Sequence, residues 1–175
     1  ESDVPMIMAN QTFAMSFPEK RTFFLEGSEL LKSDMQTVYT RSITNPLGAL
    51  KYINQGRSSS TYLMQATDTD SPYLAAGQYK SIKGNAGKSK VTIGRYKKNL
   101  GNKSHIGLIA TNRDYHIGGS GSLIEFDSLI NFLDDYILDL NYARSDTQEG
   151  HINFIDSEET FAGRTYAMDG ESFSG

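Results

Sequence analysis

The chain alternates. In Asp135–Arg144 (DYILDLNYAR), Tyr136, Leu138, Leu140 and Tyr142 occupy one set of alternate positions, and Asp135, Ile137, Asp139, Asn141 and Ala143 the other. Successive side chains of a strand point to opposite faces. This stretch therefore predicts a strand with one apolar face framed by tyrosines and one face that is mostly small or polar. The same period of two predicts strands near 9–17, 36–43, 47–54, 60–67, 88–98, 103–112, 122–133 and 135–145. A helical period is nearly absent: Ser28–Ser33 (SELLKS) predicts one short turn, with Ser28 as its cap.

The connections carry a second pattern. Gln55–Ser59 is short, Thr69–Gly87 long and polar, Asn99–Asn102 short, Arg113–Gly121 longer, Leu133–Asp135 tight, and Asp146–Gly170 long with an acidic run at 156–159. Consecutive antiparallel strands place alternate connections at opposite ends of a sheet. Strict alternation would gather tight turns at one end and long loops at the other, as in outer-membrane barrels.

The hairpin at 122–145 sharpens that expectation. Ile124, Phe126, Ser128, Ile130 and Phe132 share a face that Tyr136, Leu138, Leu140 and Tyr142 continue across the turn. Glu125, Asp127, Asn131, Asp139 and Asn141 share the other, with Leu129 and Ile137 as exceptions. Tyr136 to Tyr142 spans about 20 Å of strand, somewhat short of the ~25 Å apolar band of a membrane barrel, with tyrosines placed to meet headgroups. Phe126, Ile130, Phe132, Tyr136, Leu138, Leu140 and Tyr142 are thus expected to meet lipid, and the acidic and amide face a wet lumen. Half-buried strands of a soluble sandwich alternate in the same way, so that alternative stands. Strand 103–112 is apolar on both faces.

Composition narrows the field. The 175 residues carry a net charge of −4, with no basic excess to suggest a nucleic-acid partner. Mean hydropathy is −0.45, and no run approaches the roughly 18–20 apolar residues of a spanning helix. A barrel shows lipid only alternate residues, so neither fact bears against one. Without cysteine there are no disulfides or thiolate metal sites. The chain begins at Glu1 and stops at Gly175 just after a strand-like start at Glu171–Ser174, and is expected to be a piece of a longer protein.

One motif points further. Phe17-Pro18-Glu19-Lys20-Arg21-Thr22-Phe23-Phe24-Leu25-Glu26-Gly27 mixes charge, proline, aromatics and glycine in fixed order. Together with VYTRSI (38–43), VTIGRYKKNLG (91–101) and SHIGLIATNRD (104–114), it resembles an uncharacterised family of Gram-negative envelope proteins. In that family a domain similar to carbohydrate-binding module family nine precedes a long β-rich region that looks like an outer-membrane barrel. The likeness runs from about Asp3 to Gly175, although Thr22 stands where proline is common and VYTRSI lacks a double arginine. The resemblance implies an outer-membrane location and a role in binding or passing glycans, and it transfers no catalytic residue. The motif itself is expected to form a structural junction, with Arg21 pairing Glu19 or Glu26 and Gly27 supplying a turn.

Other chemistry is thin. His105, His116 and His151 lack metal-ligand spacing. Gly84–Ser89 lacks the glycine that a phosphate loop needs at 82, and Gly118–Gly121 is no dinucleotide fingerprint. Asp68 and Asp70 start like a calcium loop but lack its central glycine and terminal glutamate. With Asp156, Glu158 and Glu159 they could instead gather divalent cations at one barrel end, or act as solvated loop charges. No G-x-S-x-G elbow occurs.

The expected fold is all-β: an antiparallel up-and-down meander forming part of an outer-membrane-type barrel, with at most one short helix. Residues 1–35 would be the junction and 36–175 the partial barrel. The expected partners are outer-membrane lipid and a glycan, with no cofactor and no catalytic residue. The alternative is a soluble periplasmic or surface β-domain that binds glycan or serves a carbohydrate-processing enzyme.

Overall fold

The computed structural model describes residues 18–76, 81–132, 136–149, 155–156, 159–160 and 167–174. Its strands are β1 (Pro46–Gln55), β2 (Ser59–Asp68), β3 (Pro72–Ala76), β4 (Ser81–Asn85), β5 (Ser89–Gly101) and β6 (Ser104–Tyr115). They continue as β7 (Gly119–Phe132), β8 (Tyr136–Glu149), β9 (Ile155–Asp156), β10 (Glu159–Thr160) and β11 (Ala167–Ser174). Seven of them form one antiparallel up-and-down sheet, in the order β1-β2-β5-β6-β7-β8-β11. The sheet is not closed: β1 and β11 are its edges. Two small hairpins, β3–β4 and β9–β10, lie within the β2–β5 and β8–β11 connections. The protein is all-β.

The strict alternation of short and long connections does not hold. β6 runs on to Tyr115 and β7 starts at Gly119, so the longer loop expected at 113–121 is a tight turn at 116–118, closed by Gly118 N–H donating to Tyr115 O at 3.0 Å. The polar residues there sit on strands because the pairing Asp114↔Ser120 extends the ladder past the apolar stretch. The β1–β2, β5–β6 and β7–β8 connections share the opposite end. The expected strand at 9–17 lies outside the described residues.

A second correction concerns 36–43. This segment is not a strand, and the sheet begins only at Pro46. Residues 18–45 instead form a cover over one face of the sheet, built from α1 (Thr22–Leu25) and two 3-10 turns, η1 (Ser28–Leu31) and η2 (Thr40–Ser42). Gly27, at φ +75°, ends the first turn and opens the second; it, not Ser28, is the residue preceding η1. A Cβ there would strike the Ile53 side chain. The segment meets the sheet through separate contacts that do not alternate: Val38 packs on the core, the Thr37 hydroxyl donates to the Glu125 carboxylate, and Ile43 is fully buried. Its backbone turns on itself, with Ile43 N–H donating to Thr40 O at 2.9 Å.

The hydrophobic core lies between cover and sheet. Phe24, Leu31 and Ile43 pack against Tyr62, Met64 and Ala66 of β2 and Val91 and Ile93 of β5. At about 1.5–3 kcal/mol for each large apolar side chain removed from water, these contacts fix the cover in place. Toward β6–β8 the same inner face turns polar, with Arg95, Glu125, Asp127 and Asn141 all buried.

Candidate functional site

The motif from Pro18 onward is the first thing the fold organises; Phe17 lies outside the described residues. Arg21 Nε and Nη2 donate to the two carboxylate oxygens of Glu19 at 2.9 and 2.8 Å, a forked pair that fixes both side chains. The Arg21 Nη1 group donates to Ile43 O at 2.5 Å, and its guanidinium carbon lies 4.1 Å from the centre of the Phe24 ring. Thr40 Oγ1 donates to Glu19 at 2.8 Å. Burial pushes the Glu19 carboxyl up, but the hydrogen bonds from Arg21 and Thr40 and the Arg21 charge outweigh it, and the group sits at about 2. The motif thereby clasps both ends of the cover. Glu26 pairs with Lys51 at 3.1 Å, not with Arg21.

The sheet supplies the remaining anchors. Lys51 Nζ donates to Glu26 O, Arg95 Nε to Leu30 O at 3.1 Å, and Arg113 Nη1 to Ser42 O at 3.1 Å. Asp68, fully buried, accepts from Thr44 N–H at 3.0 Å and Asn45 N–H at 2.8 Å. Its carboxylate is therefore committed to the backbone and is not free for a cation. Among the described residues no three His, Cys, Asp or Glu side chains could hold a metal ion.

The inner face of β5–β7 holds an ion pair that crosses a strand. Arg95 of β5 and Asp127 of β7 form a double hydrogen bond, the second arm at 2.9 Å, with side chains only 1% and 8% exposed. Gly107 of β6 lies beneath it. A Cβ at Gly107 would stand 2.5 Å from both Arg95 Nη1 and Asp127 Oδ1, so the pair exists only because that position lacks a side chain. His105 Nε2 approaches Asp127 Oδ2 at 3.4 Å. Glu125 is fully buried: one oxygen accepts from Thr37 and Oε1 has no protein partner.

Beside this pair a half-open cleft of about 250 Å³ lies at the tight-turn end, between the cover's Lys32 and Asp34 and the sheet's Lys97, His105, Asp139 and Asn141. Asn141 Nδ2 donates to Asp139 at 2.9 Å and to Asp34 at 3.4 Å. Charged residues of both signs line the cleft, and the Asp127 carboxylate at its edge is held by Arg95. Glu125, Asp127, Asn131, Asp139 and Asn141 do share one face, as the alternation requires. Glu125 is nevertheless fully buried under the cover, and Asp127 and Asn141, largely buried, reach only the edge of the cleft.

The outer face bears no cover among the described residues. Phe126, Phe132, Tyr136, Leu138 and Tyr142 are exposed, Ile130 and Leu140 half-buried. Beyond the 122–145 hairpin the apolar surface continues. Tyr96, Leu108, Phe126, Tyr142 and Phe173 stand opposite one another on five neighbouring strands, and Tyr52, Leu63, Gly94, Ala110 and Ile124 on the next row. Phe132 and Tyr136 stack at 5.6 Å beside the β7–β8 connection. Just past Tyr142, Arg144 and Glu171 form an exposed pair at 3.6 Å.

Sequence reasoning found the outer face of one hairpin but not its extension, and it missed the Arg95–Gly107–Asp127 crossing. The available signal was a glycine in mid-strand, which marks a close approach. No family model, curated protein or solved structure matches the chain.

Proposed function

We propose that these strands are consecutive staves of an outer-membrane-type β-barrel, with the outer face against lipid and residues 18–45 folded into the lumen. The observation that carries this reading is the slant of the apolar belt. On β8 the belt runs from Tyr136 to Tyr142 and centres on Asp139; on β1 it comprises Leu50 and Tyr52 and centres on Lys51. Following the register from Lys51 through Met64, Ile93, Thr111 and Leu123 leads to Ser145 on β8, six positions beyond Asp139. On β6 the centre, Leu108, registers with Tyr142, part of the way along.

That drift is about 20 Å along the strands over about 24 Å across five strand spacings. The belt therefore crosses the strands as a level band would if they were tilted by about 40°, within the ~35–45° of membrane barrels. Exposed Leu47 and Leu100, at strand ends, lie outside the belt's centre line. A role in glycan binding or passage across the outer membrane rests on the family resemblance alone. In this reading any passage is passive, set by polar groups and loops.

The chain has no tryptophan, so Leu138→Trp places a single reporter within it. In native-like membranes its fluorescence should be quenched by lipids brominated near the bilayer centre, and Leu123→Trp on the inner face should be spared. Equal insensitivity at both positions, or full-length protein recovered in the periplasm, would refute the barrel in favour of a soluble β-domain.

A further inference from the structure

We infer that the cover is a lumenal hairpin that enters and leaves at the long-connection end, so that Pro18 lies on the same side of the membrane as the β2–β5 and β8–β11 connections. This rests on the barrel reading for the membrane and on hydrogen bonds alone for the geometry. The exit is fixed by Asp68, the last residue of β2, which holds Thr44 and Asn45 just before β1 begins at Pro46. Pro46 registers with Asp68, so β1 starts where β2 gives way to its long connection.

The other limb is fixed to the same place. Pro18 O accepts from Arg41 Nη1 at 2.7 Å, Glu19 accepts from Thr40, and Arg21 donates to Ile43 O. Between these limbs the chain descends along the inner face. Glu26 O meets Lys51, Leu30 O meets Arg95, and Glu29 accepts from Gln55 beside the β1–β2 turn. It reverses near 32–36, where Gln36 has φ 48°, and climbs past Glu125 and Arg113. A segment that crossed the lumen once would leave Pro18 at the tight-turn end; this one does not. The segment so folded is a plug tethered by both limbs at one rim, with its tip at the polar cleft of the other.

The chain lacks cysteine, which permits paired labelling of exposed Lys20, Lys88 and Lys103. Lys88 and Lys103 flank β5, a strand about 40 Å long. Spin-label distances between Lys20→Cys and Lys88→Cys in the full-length protein should fall in the lower half of that span, and between Lys20→Cys and Lys103→Cys in the upper half. The reverse order would overturn the hairpin. The same single cysteines in intact cells, probed with a membrane-impermeant maleimide, should show Lys20→Cys and Lys88→Cys alike and Lys103→Cys opposite. Correct distances with three identical labelling patterns would leave the hairpin standing and remove the membrane; opposite labelling at Lys20→Cys and Lys88→Cys would remove the shared side.

Discussion

Gly107→Ala offers the strongest test of the inner face. The added Cβ would sit 2.5–2.6 Å from three polar atoms of the Arg95–Asp127 pair, where ordinary contact begins at 3.4 Å, so the pair must shift by about an ångström or break. Arg95 has little room to yield, because its Nε is tied to Leu30 O and its side chain is 1% exposed. Full rupture of a buried pair costs about 3–5 kcal/mol. Alanine's better strand propensity returns up to about 1 kcal/mol. A net loss of ~2–4 kcal/mol follows, or a fall in Tm on the order of 5–15 °C for a chain of this size. Gly94→Ala is the matched control: its Cβ would face outward and meet Leu63 at 3.5 Å, an ordinary contact, and should change little. Thermal melts followed by circular dichroism measure both. Equal melting of the two variants would refute the reasoning, as would an undiminished Gly107→Ala cost in an Asp127→Ala background, where no ion pair remains to break.

Two further predictions concern buried carboxylates. Glu19 is held at about 2 against an ordinary 4.5, so its clasp stabilises the cover fully above pH 4.5 and is lost as pH falls from there toward 2. Amide exchange across residues 18–45 should quicken over that window and lose the dependence in Glu19→Gln; an unchanged profile in the variant would assign the effect elsewhere. Glu125, by contrast, is a fully buried carboxyl group with one protein hydrogen bond. Glu125→Met should be neutral or stabilising by up to ~4 kcal/mol, read as a raised denaturation midpoint, and a marked loss of stability would show that Oε1 is satisfied after all.

Much of the sheet was legible because a strand's period of two needs only local information. β1, β2, β5, β6, β7 and β8 fall where the alternation put them, and the 122–145 hairpin pairs Phe126 with Tyr142 as a continuous outer face requires. The cover was not legible at 36–43, because apolar and polar residues interleave there as in a strand, whereas the chain turns and buries Thr40 and Ile43, three positions apart. Arg21 and Glu19 were recognisable as partners, since they are two residues apart. Arg95 and Asp127 are 32 apart and meet only across an intervening strand, so their pairing depends on a register that no local pattern contains.

The two faces of the sheet solve the same problem differently. The inner face hides Tyr62, Met64, Val91 and Ile93 beneath 28 residues of cover, at 18–45, and ties that cover down with Lys51, Arg95, Arg113 and Asp68. Among the described residues the outer face leaves Leu50, Tyr52, Leu63, Leu108, Ile124, Phe126 and Leu138 uncovered and offers no comparable ring of anchoring charges within the belt. A protein layer seated there would need partners for its own backbone carbonyls, which on the inner face come from lysine and arginine. Hydrocarbon needs none. Contiguous apolar patches beyond a few hundred Å² are rare on water-facing surfaces, and a belt spanning six strands on a slant suits a solvent that is itself a flat layer. On that contrast, charging the outer face should matter only in a bilayer: Leu138→Arg should cost ~2–4 kcal/mol at mid-depth in lipid and within about 0.5 kcal/mol in water. Refolding yields into vesicles and into buffer would separate the two, and an equal, small effect in both would return the outer face to water.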